Sequence, residues 1–220
     1  MDLTALWLTL KVAAWATAVA TTLGVLCGFA VARGRWPGKR LLEAVLTLPM
    51  VLPPTVLGYY LIVLLGRHGP VGRWLSTHWG VNLMFTWQGA VIAASVVAFP
   101  LVFTSARAAF DGISADLEKA ARVLGASELK VFLRVSLPLA MRGIAAGTML
   151  AFARAMGEFG ATLMIAGNIP GKTQTLSMAI YDAVQSGNDA LANTLVTLIS
   201  VLCIVILVAS SRLLNPRPER

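Results

Sequence analysis

The sequence predicts an all-α integral membrane protein with about five transmembrane helices and one long basic loop between the third and fourth. Three observations point there. Of 220 residues, 57% are hydrophobic and 13% charged, against roughly 25% charged in an ordinary soluble domain. The apolar residues gather into runs long enough for lipid, since a hydrocarbon layer about 30 Å thick takes about 20 residues rising about 1.5 Å each. The basic residues lie between those runs and not along one stripe.

The first run, about 7–32, has no basic residue between Met1 and Lys11, so it lacks the charged start of a cleavable signal peptide and reads as a retained anchor. The second, about 42–66, is apolar in spite of Pro49, Pro53 and Pro54. The third covers about 87–106. The fourth, about 140–165, is interrupted by Arg154 and Glu158, and the last covers about 190–212. Together they form a single transmembrane domain over residues 1–220, with a cytoplasmic loop at about 107–138. Between the loop helices and the fourth span, Ser127 is expected to begin a short helix through Arg134, and Pro138 to interrupt the amide ladder where the span starts.

Net charge is +8, and its placement sets topology, because translocation of short basic loops is disfavoured. Arg33, Arg35, Lys39 and Arg40, the stretch from Arg107 to Arg142, and the tail with Arg212, Arg217 and Arg220 all fall on one side of five spans. Only Arg67, Arg73 and Lys172 fall on the other. The central loop and the C-terminus are therefore expected in the cytoplasm and the N-terminus outside, in the cell's inner membrane. Nucleic-acid binding is not the reading of this charge. Trp7, Trp15, Trp36, Trp74, Trp79 and Trp87 lie mostly near the ends of runs, where such rings anchor in the headgroup layer, and Lys11 is expected to snorkel there.

The central loop carries the strongest pattern. Ser114 can cap a helix whose first turn holds Asp116 and Glu118, and Gly125 suits a left-handed stop. Leu117, Ala120, Ala121 and Leu124 recur at helical spacing and make one narrow apolar face, the shape of a knob for a groove on a partner.

Ala120-Ala121, three residues, Gly125, nine residues, then Val135-Ser136-Leu137-Pro138 resembles the EAA motif of binding-protein-dependent ABC importer permeases, the type I architecture. Lys119 stands where that motif usually has glutamate, and Glu118 lies one residue earlier. The resemblance extends to Leu48–Gly58, Ala151–Thr162 and Gly167–Gly171, which look like the oxyanion branch of the family, most closely the molybdate type. It implies a homodimeric permease, two cytoplasmic ATPase subunits and an external or periplasmic molybdate-binding protein. It assigns Glu118, Lys119, Ala120, Ala121, Leu124, Gly125 and Ala126 to ATPase coupling. A sulfate, thiosulfate or tungstate permease is the close alternative. A secondary transporter or channel is the more distant one, and Glu158 is the sole deep acid it would have for ion coupling.

Pathway or gate candidates are Pro53, Pro54, Thr55, Arg154, Glu158 and Thr162. The prolines remove amide donors and should kink or unwind the second span, either to line a cavity or for packing alone. Thr55 could offer a hydroxyl to a passing oxyanion. Arg154 and Glu158, four apart on one helix face, either gate the route or form a buried ion pair fixing the fourth helix. Gly157 and Gly160 suit a hinge or close packing.

No cofactor, catalytic residue or metal site is expected. Gly167-Asn168-Ile169-Pro170-Gly171-Lys172-Thr173 approaches a phosphate loop, but Ala166 replaces the required first glycine. The segment is better read as an external loop. His68 and His78 have no ligand cluster, and Cys27 and Cys203, inside apolar runs, are expected to be free thiols.

Overall fold

The computed structural model describes residues 4–34 and 36–214. Met1–Leu3, Arg35, the tail arginines Arg217 and Arg220 and the side chain of Arg212 lie outside the described residues. The elements in order are α1 Thr4–Arg33, α2 Lys39–Val51, α3 Pro54–Leu65, α4 Pro70–Trp79, α5 Trp87–Asp111, α6 Ala115–Val123 and α7 Glu128–Val131. A π-helical turn Phe132–Ser136 follows, then α8 Leu137–Met156, α9 Gly160–Ala166, α10 Leu176–Gln185 and α11 Asp189–Leu214.

Among the described residues, α1, α5, α11 and the continuous helix Glu128–Met156 are long and apolar enough to cross a membrane. A fifth crossing is available only through α2 and α3 together. The central member is α5, which packs against α1 and α8. Its Ala90, Ala94, Ala98, Val102, Ala106 and Phe110, each four apart and so along one slowly winding stripe, join Ala13, Ala16 and Ala20 of α1 in the main core. Small residues dominate because lipid gives helices no hydrophobic reason to associate, and close backbone approach supplies dispersion instead. A Cβ on Gly24 would stand 2.9 Å from Val102 Cβ, and one on Gly147 would stand 2.6 Å from Ser105 Cβ, so these two glycines set the α1–α5 and α5–α8 spacings. A second core joins Leu57, Leu61 and Leu65 of α3 to Ala93 and Val97 of α5 and Ala161 and Ile165 of α9. On α11, Val201, Ile204 and Val205 are exposed, as suits a lipid-facing helix.

The two ends of α1 orient the rest. At its C-terminal end Arg33 pairs with Glu118 of α6 at 2.7 Å. Near its N-terminus, Thr9 Oγ1 accepts the Leu176 amide of α10 at 2.8 Å. The loop helix α6 and the segment 167–189 therefore lie at opposite ends of α1, about 36 Å apart at 1.5 Å per residue. The segment before α5 joins the α10 end, where the Phe85 amide bonds Ile165 O at 2.9 Å.

Two expectations are corrected and one is sharpened. The second span is broken, as its prolines suggested: α2 begins at Lys39, and α2 and α3 meet at 113°. Leu52 and Pro53 are extended there, because the consecutive prolines cannot continue the amide ladder and Pro54 forces its predecessor out of helical backbone. The fourth span does not run over 140–165: its helix ends at Met156, and Ile165 belongs to the separate α9. Nor does a break at Pro138 separate a short loop helix from that span. The backbone winds on from Glu128 to Met156 because the π turn makes room, with the Leu137 amide reaching five residues back to Phe132 O. As a result the irregular part of the central loop is confined to the α5–α6 turn and the residues between Val123 and Glu128.

Candidate functional site

The loop helix forms as its residues dictate. Ser114 Oγ accepts the Asp116 amide at 3.3 Å. At the other end Gly125 has φ 81°, a left-handed conformation that costs an L residue with a Cβ roughly 1–2 kcal/mol. The Ala126 amide then closes the helix on Ala121 O at 3.1 Å. Leu117, Ala120 and Leu124 are exposed and Ala121 is half-buried, so this stripe has no cover within the chain. Val123 and Leu124 form the tip, each 87% exposed.

Glu118, next to that stripe in sequence, points the opposite way and is 3% exposed. Its Oε1 accepts from Arg33 Nε at 2.9 Å and Nη2 at 2.7 Å. Ser136 Oγ in the π turn donates to the same oxygen at 2.8 Å. Burial pushes the Glu118 carboxyl up, but the Arg33 and Ser136 hydrogen bonds and the Arg33 and Arg122 charges outweigh it, leaving the group below its ordinary range. Arg122 also grips Glu128 through Nε at 2.7 Å and Nη2 at 3.1 Å, tying α6 to α7. Lys119 is exposed and bonded only to Asp116, at 3.0 Å.

The second candidate region lies where two helices break side by side. A Cβ on Gly160 would stand 2.7 Å from Pro54 Cβ, and one on Gly58 would stand 2.7 Å from Met164 Cβ, so α3 and α9 run together from neighbouring N-termini. Arg154 Nη1 pairs with Glu158 Oε2 at 2.8 Å. The two residues are not on one helix face as their spacing suggests, because α8 ends between them. Glu158 instead caps α9, its Oε1 accepting the Ala161 amide at 2.9 Å. Beside the breaks is a cavity of about 310 Å³ lined by Pro49, Met50, Leu52, Pro54, Leu57, Val97, Leu101 and Arg154. Of the pathway candidates, Pro54 and Arg154 reach this wall and Glu158 holds Arg154 from behind. Pro53 and Thr55 are exposed at the break, outside the lining, and Thr162 is fully buried. A separate cavity of about 320 Å³ between α1, α2 and α5 is lined by apolar side chains and Ser95, whose hydroxyl is already given to Val91 O at 2.6 Å. It offers an anion nothing.

The segment 167–173 forms a closed turn and not an anion cradle. Ile169 O accepts the amides of Lys172, Thr173 and Gln174 at 2.9–3.1 Å, and Asp182 receives Asn168 Nδ2 and Gln174 Nε2 at 2.7 Å each. Lys11 does not simply extend into the headgroup layer: its Nζ sits 3.7 Å from the centroid of the Trp87 ring. No group of three metal-ligating side chains occurs among the described residues. Sequence reasoning missed Arg33 and Ser136 as partners of Glu118. Arg33 looked like one more topology charge, and nothing local in the sequence links positions 33, 118 and 136.

Three comparisons bear on this arrangement. Residues 20–220 match the family model of binding-protein-dependent transport system inner membrane components. The chain is 48% identical to YvgM of Bacillus subtilis strain 168, named as a candidate molybdenum transport system permease, covering 91% of this chain and 88% of that one. It is 42% identical to the molybdenum transport system permease protein ModB of Escherichia coli K12, covering 98% and 95%. Its fold matches an inward-facing structure of the MetNI methionine ABC transporter with a TM-score of 0.73 at 20% identity, covering 98% of this chain and 95% of that one.

Proposed function

We propose that this chain, which belongs to the family of binding-protein-dependent transport system inner membrane components, is the permease subunit of an ATP-driven importer that carries molybdate into the cytoplasm. The relatives named for molybdenum transport support the cargo, since their similarity runs nearly end to end. The observation that carries the mechanism is the uncovered apolar stripe of α6, a short capped helix lying away from the spans with its tip exposed. An ATPase subunit with a matching groove would cover it.

Two copies of the chain, each acting as one domain over 1–220, would enclose the anion route, with two ATPase subunits at the α6 end and the molybdate-binding protein at the α10 end. The charge asymmetry supports the C-terminus and α6 in the cytoplasm and the N-terminus outside. ATP binding draws the ATPases together, α6 follows, and the route opens outward. Hydrolysis returns it inward. A dianion cannot cross hydrocarbon unaided, because burying an uncompensated charge is prohibitively costly. The break beside Arg154 supplies what lipid lacks: a guanidinium on the cavity wall and the N-terminal end of α3, where amide dipoles favour negative charge. Glu158 keeps Arg154 partly neutralised, so the anion is attracted but not trapped.

The test is ATP-dependent uptake of labelled molybdate into liposomes holding the permease, its ATPase and its binding protein, with tungstate and sulfate as competitors. Uptake without ATPase would place the chain among secondary transporters or channels. Ala121→Glu should uncouple hydrolysis from uptake while the protein stays in the membrane.

A further inference from the structure

Among the described residues of α6, Glu118 alone is buried. Apart from the half-buried Ala121 the rest of that nine-residue helix is exposed, so little apolar packing ties it to the spans. A force applied to α6 from outside has two polar routes inward, the exposed Arg122–Glu128 bridge to α7 and the buried Glu118 carboxylate, and of these the carboxylate also reaches α1.

We propose that Glu118 is a positioning residue of the transport cycle, the pin through which displacement of α6 is passed both to the C-terminal end of α1 and to the π turn that leads into α8. The proposal rests on the importer reading above. Three donors converge on one carboxylate oxygen, two from Arg33 and one from Ser136, at 2.7–2.9 Å. Charge-assisted bonds of this kind are short and directional, so they transmit sliding that an apolar contact would absorb. The receiving element suits the task. Ser136 ends the π turn Phe132–Ser136, a widened turn of the sort that marks functional sites in helices and leaves local slack in winding. From Ser136 the helix continues to Arg154 on the cavity wall, about 27 Å away at 1.5 Å per residue. One end of a single rod is thus held by α6 and the other carries the cation at the break. Lys119 cannot play this part, since its side chain is 68% exposed and its partner Asp116 is 86% exposed.

The experiment uses the whole importer in liposomes and reads anion imported per ATP hydrolysed at equal yield of assembled complex. E118Q and R33E should each lower that ratio about tenfold, and S136A, which removes one uncharged donor, about twofold. The exchange R33E/E118R should recover at least about half of the wild-type ratio, a rescue that loss of folding alone would not give. A wild-type ratio in both E118Q and S136A overturns the pin, as does an exchange that recovers nothing. Should E118Q fail to assemble, S136A decides alone, and a wild-type ratio there overturns the proposal. L124E, on the exposed tip, separates the two readings. If L124E uncouples while E118Q and S136A do not, only the pin is lost. If L124E also transports normally, docking through α6 is lost and the pin with it.

Discussion

Glu118 and Glu158 are each 3% exposed, and each is paired with an arginine and accepts one further hydrogen bond, from the Ser136 hydroxyl and the Ala161 amide respectively. Glu118 has Arg122 as a further counter-charge at 3.8 Å, and the two carboxylates serve different ends. The partners of Glu158 are Arg154 and the Ala161 amide, within four residues, so it stabilises a local break between α8 and α9. The partners of Glu118 come from α1 and from the π turn, 85 and 18 residues away, so it joins three parts of the chain. The same chemistry shapes a helix end in one place and joins segments distant in sequence in the other. Sequence separation between partners, not the kind of bond, separates the two roles.

The largest contrast should come from deleting the arginines. Arg154→Leu leaves the buried Glu158 with only the Ala161 amide, and because the Arg154 side chain is 38% exposed the loss should fall short of the roughly 3–5 kcal/mol of a fully buried pair, read as a drop in melting temperature of the detergent-solubilised permease. Arg33→Leu leaves Glu118 with Ser136 and with Arg122 at 3.8 Å, so its thermal loss should be the smaller of the two and its transport defect the clearer. Equal melting temperatures would break the comparison.

Acid sharpens it next. The Glu118 carboxyl is depressed in the folded chain, so its contribution is complete above the ordinary value of 4.5 and is lost as pH falls through the lower folded value. Protease accessibility of the α6 segment should therefore rise on acidification below 4.5, and Glu118→Gln should weaken that dependence, leaving the part that comes from Glu128, whose carboxyl Arg122 also holds below its ordinary range. A variant that keeps the same acid profile would assign the titration to another group.

Smaller effects belong to the frame of α6. Gly125→Ala should destabilise the loop by about 1–2 kcal/mol through its positive φ, visible as faster amide exchange over 115–126. Ser114→Ala should cost about 1 kcal/mol by removing the cap on the Asp116 amide, with exchange faster in the first turn only.

Much of this was legible from the residues. The uncovered stripe, its cap at Ser114 and its stop at Gly125 follow from composition and spacing over a dozen positions, and the structure has the same helix. The proline cluster announced a broken second span, though not its 113° angle. The fourth span was misread because hydropathy is blind to a break between apolar helices, and Gly157 and Phe159 are as compatible with continuation as with an end. Pro138 misled in the opposite direction, because a π turn can absorb a proline and its winding is not written in composition.

By itself, then, the sequence determined the membrane class, the placement of basic residues between the apolar runs and the short capped helix of the central loop, because each depends on transfer energies or on residues within a few turns. Only the tertiary structure decided that Glu118 turns inward to Arg33 and Ser136, that Gly160 meets Pro54, and that Arg154 reaches a cavity while Thr162 does not. Those outcomes depend on which helices lie side by side. That choice is made by close packing of small residues along α1, α5 and α8, a sum of many weak contacts that no single stretch of sequence contains.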